Sequence, residues 1–487
     1  MNRYYQLGGV NAAVLANWKS KIDLASEAYG YLVQNGQVQL TLGIKSSGAS
    51  YLYLTEDELP RLRRSGLEIK PNKYLLADEL ESLSPIVFNN VRELREKLNG
   101  YKQKPGKKKN HETLVDLSPL NKPYHGEGSR AGIQRGQFEN ARVLFRLLTQ
   151  PNWAPALDLE LHGVPRSSTG TLEIPVYCFA FNLWTRDERP LAERRTNPIV
   201  LDVALGKALS ALNDHEMETA VHIRIENNKL MERNLPVTEA AFPYKKYESE
   251  EEHGVTVFLS DREMKARVQQ FFADIPSQTP AILLVHSEQA DKVSARDVLQ
   301  YLGVAGVDTW NWSGNSLKAL FHEPPVVRPT LAPGDPRARH RQRSASPPRR
   351  ASSSSSSNVL NSSRPSPPPA APRTRTHPPI YTLDIKSLYT TLFNTSAGSE
   401  SIPSIIHSTA LYPAQDCAGW CAGNELWMLL RAFCEMARRG PVDDQKPTDA
   451  GGEWPEVHQQ ILAQRERAMS GAGGYDEDVS DYGSEED

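Results

Sequence analysis

Two acidic residues at strand spacing, Asp158 and Glu160, are the first candidates for metal ligation in this sequence. They lie in the run from Ala156 to Leu161, whose residue pattern predicts a β-strand. Because side chains alternate between the two faces of a strand, both carboxylates project from the same face. Carboxylate oxygens suit Mg²⁺, and paired Mg²⁺ ions hydrolyse phosphodiesters. The alternative interpretation is an ordinary strand with two exposed acids.

A third acid, Glu425, begins a helix near the end of the chain. The run Ala422-Gly423-Asn424-Glu425 leads into apolar residues at helical spacing, which predict a helix over 424–438. Far upstream of it, Leu383-Asp384 ends a predicted strand. These acids are distant in sequence, so they form one site only if the fold brings their elements together. Nucleases that use two metal ions require such convergence.

The composition bounds the class of protein. The chain has 487 residues, 35 prolines, a hydrophobic fraction of 39% and a net charge of −3, which favours an intracellular protein with unstructured stretches. Four cysteines are too few for a disulfide framework in a chain of this size, which predicts a reducing compartment, cytoplasmic or nuclear. No apolar run is long enough to cross a bilayer, so we expect no membrane partner.

The order of patterns predicts an α/β fold with a mixed sheet flanked by helices, because strands come first and then alternate with helices. A long disordered insertion interrupts this domain. We predict six segments: a small α+β N-terminal module at 1–100, a basic linker at 101–130, the first part of the α/β domain at 131–324, the disordered insertion at 325–379, the second part of the α/β domain at 380–440, and a disordered acidic tail at 441–487.

The insertion is strongly basic. Residues 324–379 contain ten arginines, no lysine and one acidic residue, with six consecutive serines and a Pro-Pro-Pro run. Such a segment cannot bury enough apolar surface to offset the entropy of ordering. Arginines contact nucleic-acid phosphates without sequence preference, so we predict a nucleic-acid-binding role for the following residues: Arg341, Arg343, Arg349 and Arg350.

In order and spacing, these motifs resemble fungal proteins that carry the Gfd-type RNase H-like domain of the DEDD 3′–5′ exonuclease superfamily. The resemblance covers residues 153–324 and 380–440. No single motif is specific, but their order and spacing together are. The matching segments are: Asp158-Leu159-Glu160, Thr171-Leu172-Glu173-Ile174-Pro175, Trp184-Thr185-Arg186-Asp187, His222-Ile223-Arg224, Val285-His286 with Asp291, Leu383-Asp384-Ile385, and Trp420-Cys421-Ala422-Gly423-Asn424-Glu425-Leu426.

The resemblance implies a Mg²⁺ site whose ligands are Asp158, Glu160, Asp291 and Glu425. Asp297 competes with Asp291 for the third position. Two departures imply impaired catalysis. Glu425 replaces an aspartate and is longer by a methylene, which a rigid Mg²⁺ site tolerates poorly. Trp420 stands where the family carries a general-base histidine, and an indole has only an N–H donor.

The expected function is therefore that of an RNase H-like protein that binds single-stranded RNA and is catalytically impaired. Two alternatives remain open. One is an active Mg²⁺-dependent 3′–5′ exonuclease acting on single-stranded RNA or DNA. The other is a non-catalytic protein-interaction scaffold in messenger-RNA handling, with a protein partner.

Overall fold

The computed structural model describes residues 2–9, 11–16, 22–102, 116, 118–124, 129–150, 162, 172–184, 186–209, 212, 216–228, 255–286, 292–312, 317, 320, 378–393, 402, 405 and 421–445. The chain divides into two compact units, Met1–Phe321 with His377–Asp487, and His322–Thr376. The second unit, which contains most of the predicted insertion, lies outside the described residues. The described part is a mixed α/β fold with two mixed sheets flanked by helices, which confirms the predicted class.

The strands of the described residues are, in chain order: β1 Arg3–Leu7, β2 Val14–Leu15, β3 Val38–Lys45, β4 Ser50–Thr55, β5 Glu68–Ile69, β6 Leu75–Leu76, β7 Leu80–Phe88, β8 Val176–Leu183, β9 Val200–Ala208, β10 Met217–Ile225, β11 Val255–Leu259, β12 Ala281–Val285 and β13 Ile380–Asp384.

The α-helices are, in chain order: α1 Leu24–Leu32, α2 Leu59–Arg63, α3 Val91–Gly100, α4 Ser129–Thr149, α5 Leu191–Thr196, α6 Asp261–Ala273, α7 Ala295–Tyr301, α8 Ile385–Phe393 and α9 Ala422–Arg438. Short 3₁₀ helices occupy Ala77–Glu79, Lys122–Tyr124, Glu226–Asn228 and Val307–Thr309. Among the described helices, none has both the length and the apolar character needed to cross a membrane.

The first sheet has the order β5-β2-β1-β4-β3-β7, and β6 also pairs with β1. The alternating run Gln37–Ile44 and the run Ser50–Leu54 after Ser46-Ser47-Gly48 predict a hairpin, which is confirmed because β3 and β4 pair antiparallel across the Ser46 to Ala49 turn. Helix α3 packs its Leu94 and Leu98 into the core of this sheet, as the helical spacing predicts.

The second sheet has the order β11-β10-β9-β8-β12-β13. β8, β9 and β10 pair antiparallel in succession, whereas β12 and β13 run parallel to β8 on its other side. β11 adds a parallel strand beside β10 at the opposite end. β12 is buried along its whole length, as its continuous apolar sequence predicts for a parallel strand covered on both faces.

Three helices in the second half of the chain lie where the sequence predicts them: one starts at Ser260-Asp261-Arg262-Glu263, one carries Leu388 and Tyr389 at helical spacing, and one covers 424–438. Ser260 caps α6 and forms a reciprocal capping box with Glu263. Helix α8 begins directly after Asp384, and α9 spans Ala422–Arg438. Strand β9, in contrast, was not predicted from the sequence. It is nevertheless the strand that connects the two antiparallel pairs of the second sheet.

Helix α4 joins the two sheets. Its C-terminal half places Phe145 and Leu148 in the core beneath the second sheet, against Phe433 of α9. Its N-terminal half packs on the first sheet. There Gly132 lies so close to the chain that an added Cβ would stand 2.3 Å from the Ser46 carbonyl oxygen. Glycine at this position therefore permits the close packing of α4 against the first sheet.

A buried set of charges, here called the joint cluster, connects α4 to residues that follow α9. It consists of Arg135, Asp443, Lys97, Glu139 and Arg142. The Arg135 guanidinium pairs with Asp443, and both side chains are 1% exposed. Lys97 Nζ lies 3.4 Å from the same aspartate, and Arg142 pairs with Glu139. The first sheet and the second are therefore linked by full charges inside one compact unit.

Candidate site at the start of helix α9

The predicted site residues fall in two groups. Outside the described residues are the acids Asp158, Glu160 and Asp291, Trp420, and the arginines Arg341, Arg343, Arg349 and Arg350. Their roles stay predictions. Glu425 and the competing Asp297 are described. Asp297 caps helix α7, because its Oδ2 accepts hydrogen bonds from the backbone N and the Oγ of Ser294 at 2.9 and 2.8 Å.

A row of residues crosses one face of the second sheet beside α9. Asn182 is in register with Asp202, Asp202 with Arg224, and Arg224 with Phe258. Residues in register on adjacent strands point to the same face, so the four side chains form one line from β8 to β11. Helix α9 packs over the β8 end of this line, where Ala180 and Ala204 belong to its hydrophobic core.

Asp202 is the centre of this site. It is fully buried, and its Oδ2 accepts hydrogen bonds from the Ala422 backbone N–H at 3.2 Å and contacts His222 Nε2 at 2.9 Å. Burial by itself raises the pKa of this carboxyl. The hydrogen bond and charge of His222, followed by hydrogen bonds from Asn182 and Ala422, outweigh burial and hold the pKa of Asp202 below its usual value. The carboxylate is thus ionised, and its Oδ2 is held by His222 and by the Ala422 N–H.

His222 links this carboxylate to the edge of the sheet. It is 1% exposed, and its Nδ1 lies 3.2 Å from Thr256 Oγ1 on β11. Both ring nitrogens therefore face partners within the sheet. A histidine enclosed in this way orients its neighbours and has no free nitrogen to accept a proton from an attacking water.

The N-terminus of α9 faces Asp202. Cys421 is the N-cap residue, and the Ala422 N–H is among the amides that a helix leaves without intrahelical partners. A carboxylate at this position also interacts favourably with the helix dipole. Burial raises the pKa of the Cys421 thiol well above its usual value, with Asp202 adding to the effect. The thiol therefore stays protonated and cannot replace a general base.

Glu425 lies in the first turn of α9 and is buried, with 6% of its surface exposed. Asp384, at the end of β13, is half-buried, and its Oδ1 accepts a hydrogen bond from the Lys386 backbone N–H at 3.1 Å. Within the described ranges, no group of three or more histidine, cysteine, aspartate or glutamate residues has the arrangement of a metal site. The described acids alone thus form no complete ligand set, and the other predicted ligands, Asp158, Glu160 and Asp291, lie outside the described residues.

Asn182 and Asp202 were not predicted as site residues. Asn182 carries no charge, and Asp202 lies in the strand that sequence patterns did not reveal. One signal was available. The segment from Ile199 to Leu205 is apolar apart from one acid, and an acid within a buried apolar run must have partners.

Comparisons with models of known families, with curated proteins and with solved structures find no match to this chain.

Proposed function

We propose that this chain is an RNase H-like protein that binds single-stranded nucleic acid, RNA in particular, and does not hydrolyse it. The observation that carries the proposal is the environment of Asp202. The carboxylate at the start of α9 is buried, and its Oδ2 is occupied by contacts with His222 Nε2 at 2.9 Å and the Ala422 N–H at 3.2 Å. A metal-binding acid needs its oxygen atoms available to the ion.

The strand order of the second sheet supports the RNase H-like part of the proposal. Such a sheet has three antiparallel strands in succession, and two further strands that run parallel to the first on its free side. β8, β9 and β10 form the antiparallel succession, and β12 and β13 extend it in the parallel direction. In this arrangement β8 is the first strand, because both of its edges are occupied, by β9 and by β12.

The sequence of β8 supports the loss of hydrolysis. The family's Asp-x-Glu lies on the first strand, and the end of β8 reads Asn182-Leu183-Trp184 at the same spacing. An amide and an indole there supply no carboxylate.

The arginine-rich segment 325–379 is then the main source of affinity for single-stranded nucleic acid. Its arginines contact phosphates, and affinity then falls steeply with salt concentration. The second sheet would bind the nucleic-acid strand but would lack the metal-binding acids that hydrolysis requires. Messenger-RNA handling, which the resemblance implies, is consistent with a binding role but does not follow from the fold alone.

The test uses the full-length protein with end-labelled single-stranded RNA and DNA, in Mg²⁺ and in Mn²⁺. We expect a rise in fluorescence anisotropy that decreases with salt, and no shortening of the label on a gel. Asp158→Ala serves as the matched control for residual nuclease. Shortening that requires Mg²⁺ and disappears in this variant would establish the active exonuclease. Failure to bind either nucleic acid would contradict the proposal and favour the protein-interaction scaffold.

A further inference from the structure

Phe258 and Arg224 form an exposed aromatic and cationic pair at the outer end of the row that begins at Asn182. Phe258 is 49% exposed, the largest value among the large apolar side chains that the structure describes as exposed. The Arg224 guanidinium carbon lies 5.7 Å from the centroid of its ring. Both residues are on strands of the second sheet and are in direct register.

The pair lies on the same face as the candidate site. Thr256, two residues before Phe258, contacts His222, and Arg224 is in register with Asp202. Adjacent strands are about 4.8 Å apart, so three strand spacings place Phe258 about 14 Å from Asn182 across the sheet. The other face of β11 is different, since Val257 and Leu259 pack against the second hydrophobic core of this sheet.

The chemistry of this pair suits a nucleobase. Unpaired bases stack on aromatic rings and on guanidinium planes, and a sheet face that presents both is a common platform for single strands. An arginine also contacts the phosphate that follows the stacked base. The insertion supplies further positive charge, with ten arginines against one acid in residues 324–379.

We infer that Phe258 and Arg224 stack one base of the bound single strand at the exposed end of the row. The inference rests on the proposed function, and it assigns an aromatic contact, for which the arginine-rich segment has no phenylalanine, tyrosine or tryptophan. Stacking on one ring is tolerant of sequence, so this platform adds affinity for unpaired bases and does not select among them.

The experiment uses full-length protein and a single-stranded oligoadenylate in which one base is a fluorescent adenine analogue quenched by stacking. Anisotropy measures total binding, and quenching measures stacking. We expect Phe258→Ala to weaken binding about five- to a hundredfold and to abolish the quenching. Phe258→Tyr should retain both signals. Phe258→Leu, which keeps apolar contact with the sheet, should fold normally and also lose the quenching.

A matched control is available on the first sheet. Tyr74 is 38% exposed and has the Arg3 guanidinium 4.8 Å from its ring centroid, so it is an aromatic–arginine pair away from the row. Tyr74→Ala should leave anisotropy and quenching unchanged. Arg224→Gln should reduce the slope of log affinity against log salt by about 0.7, the value for one phosphate contact on a single strand.

The outcomes separate the two proposals. Binding with quenching that survives in Phe258→Ala and Phe258→Leu would overturn the stacking assignment and leave nucleic-acid binding intact. Wild-type protein that binds no single strand would overturn both. Equal loss of quenching in Tyr74→Ala and Phe258→Ala would also contradict the assignment, because the effect would then not belong to this row.

Discussion

The two ends of helix α9 carry two different polar clusters. At its C-terminal end, the joint cluster contains cations and anions in direct contact, such as Arg135 with Asp443. At its N-terminal end, one buried carboxylate, Asp202, is held by donors including an imidazole and a backbone amide. Both arrangements interact favourably with the dipole of α9. The Asp202 carboxylate lies at the N-terminus, and Arg142 Nε donates to the Arg439 carbonyl just beyond the C-terminus at 3.3 Å.

The contrast between these two clusters distinguishes a structural role, that of the joint cluster, from the candidate site around Asp202. In the joint cluster each described charge has an opposite charge beside it, and the pairs connect α3 and α4 to the segment after α9. This cluster holds the two sheets together. The described contacts of Asp202 Oδ2 are with an imidazole and a backbone amide, and the neighbouring strand presents Asn182 in register with it. This end of the row thus pairs one acid with one amide.

The largest predicted effect lies in the joint cluster. Arg135→Met removes the cation and leaves Asp443 buried, with Lys97 Nζ at 3.4 Å as its remaining cation. Breaking a buried ion pair from one side typically costs about 3–5 kcal/mol of unfolding free energy. Urea denaturation followed by circular dichroism measures the loss.

A double variant tests the reason for that effect. Arg135→Met combined with Asp443→Leu removes both charges and should recover part of the lost stability, because no uncompensated charge remains. A loss below about 1 kcal/mol for Arg135→Met, the range of exposed pairs, would show that this pair does not hold the sheets together. Arg296→Met, which breaks an exposed pair with Asp308, is the matched control.

A smaller effect, with a distinct pH dependence, is predicted at Asp202. Asp202→Asn replaces the charged acceptor and should cost about 1.5–3 kcal/mol of unfolding free energy near neutral pH. The folded-state pKa of Asp202 is lowered. Its contribution is therefore fully present above the unfolded pKa and is lost as the pH falls through the folded value.

Unfolding free energies of wild type and Asp202→Asn, measured at about pH 6 and about pH 3, check this prediction. The difference between the two proteins should shrink at the lower pH. A difference that is constant or grows on acidification would show that the Asp202 carboxylate is not stabilised by its charge. Asp57→Asn controls for general acid effects, since that side chain is exposed.

Much of the fold follows from local patterns. The hairpin of β3 and β4, the capping box at Ser260 and the helix α9 each have a signal within a few residues, and each is confirmed. The period of apolar residues and the capping chemistry determine these elements without help from distant parts of the chain. The class, α/β with mixed sheets, follows from their order.

The arrangement around Asp202 was beyond sequence reasoning for a physical reason. Strand β9 is buried on both faces, but Asp202, Gly206 and Lys207 interrupt its apolar residues, so its sequence shows neither a regular alternation nor an unbroken apolar run. Because β9 was not predicted, nothing in the sequence placed Asp202 beside His222 or Ala422, and nothing distinguished Asn182 from other polar residues. The expected acids Asp158 and Glu160 were chosen instead because they have the right spacing and charge.

Binding of Mn²⁺ is the most direct test of the proposal that the candidate acids, Asp202 at the start of α9 included, do not hold a metal ion. The full-length protein is titrated with Mn²⁺ and the free ion is followed by electron paramagnetic resonance, in wild type, Asp202→Asn and Asp158→Ala. We expect the three titrations to coincide, because neither acid ligates an ion. A saturable site in wild type that disappears in either variant would contradict the claim and restore the nuclease.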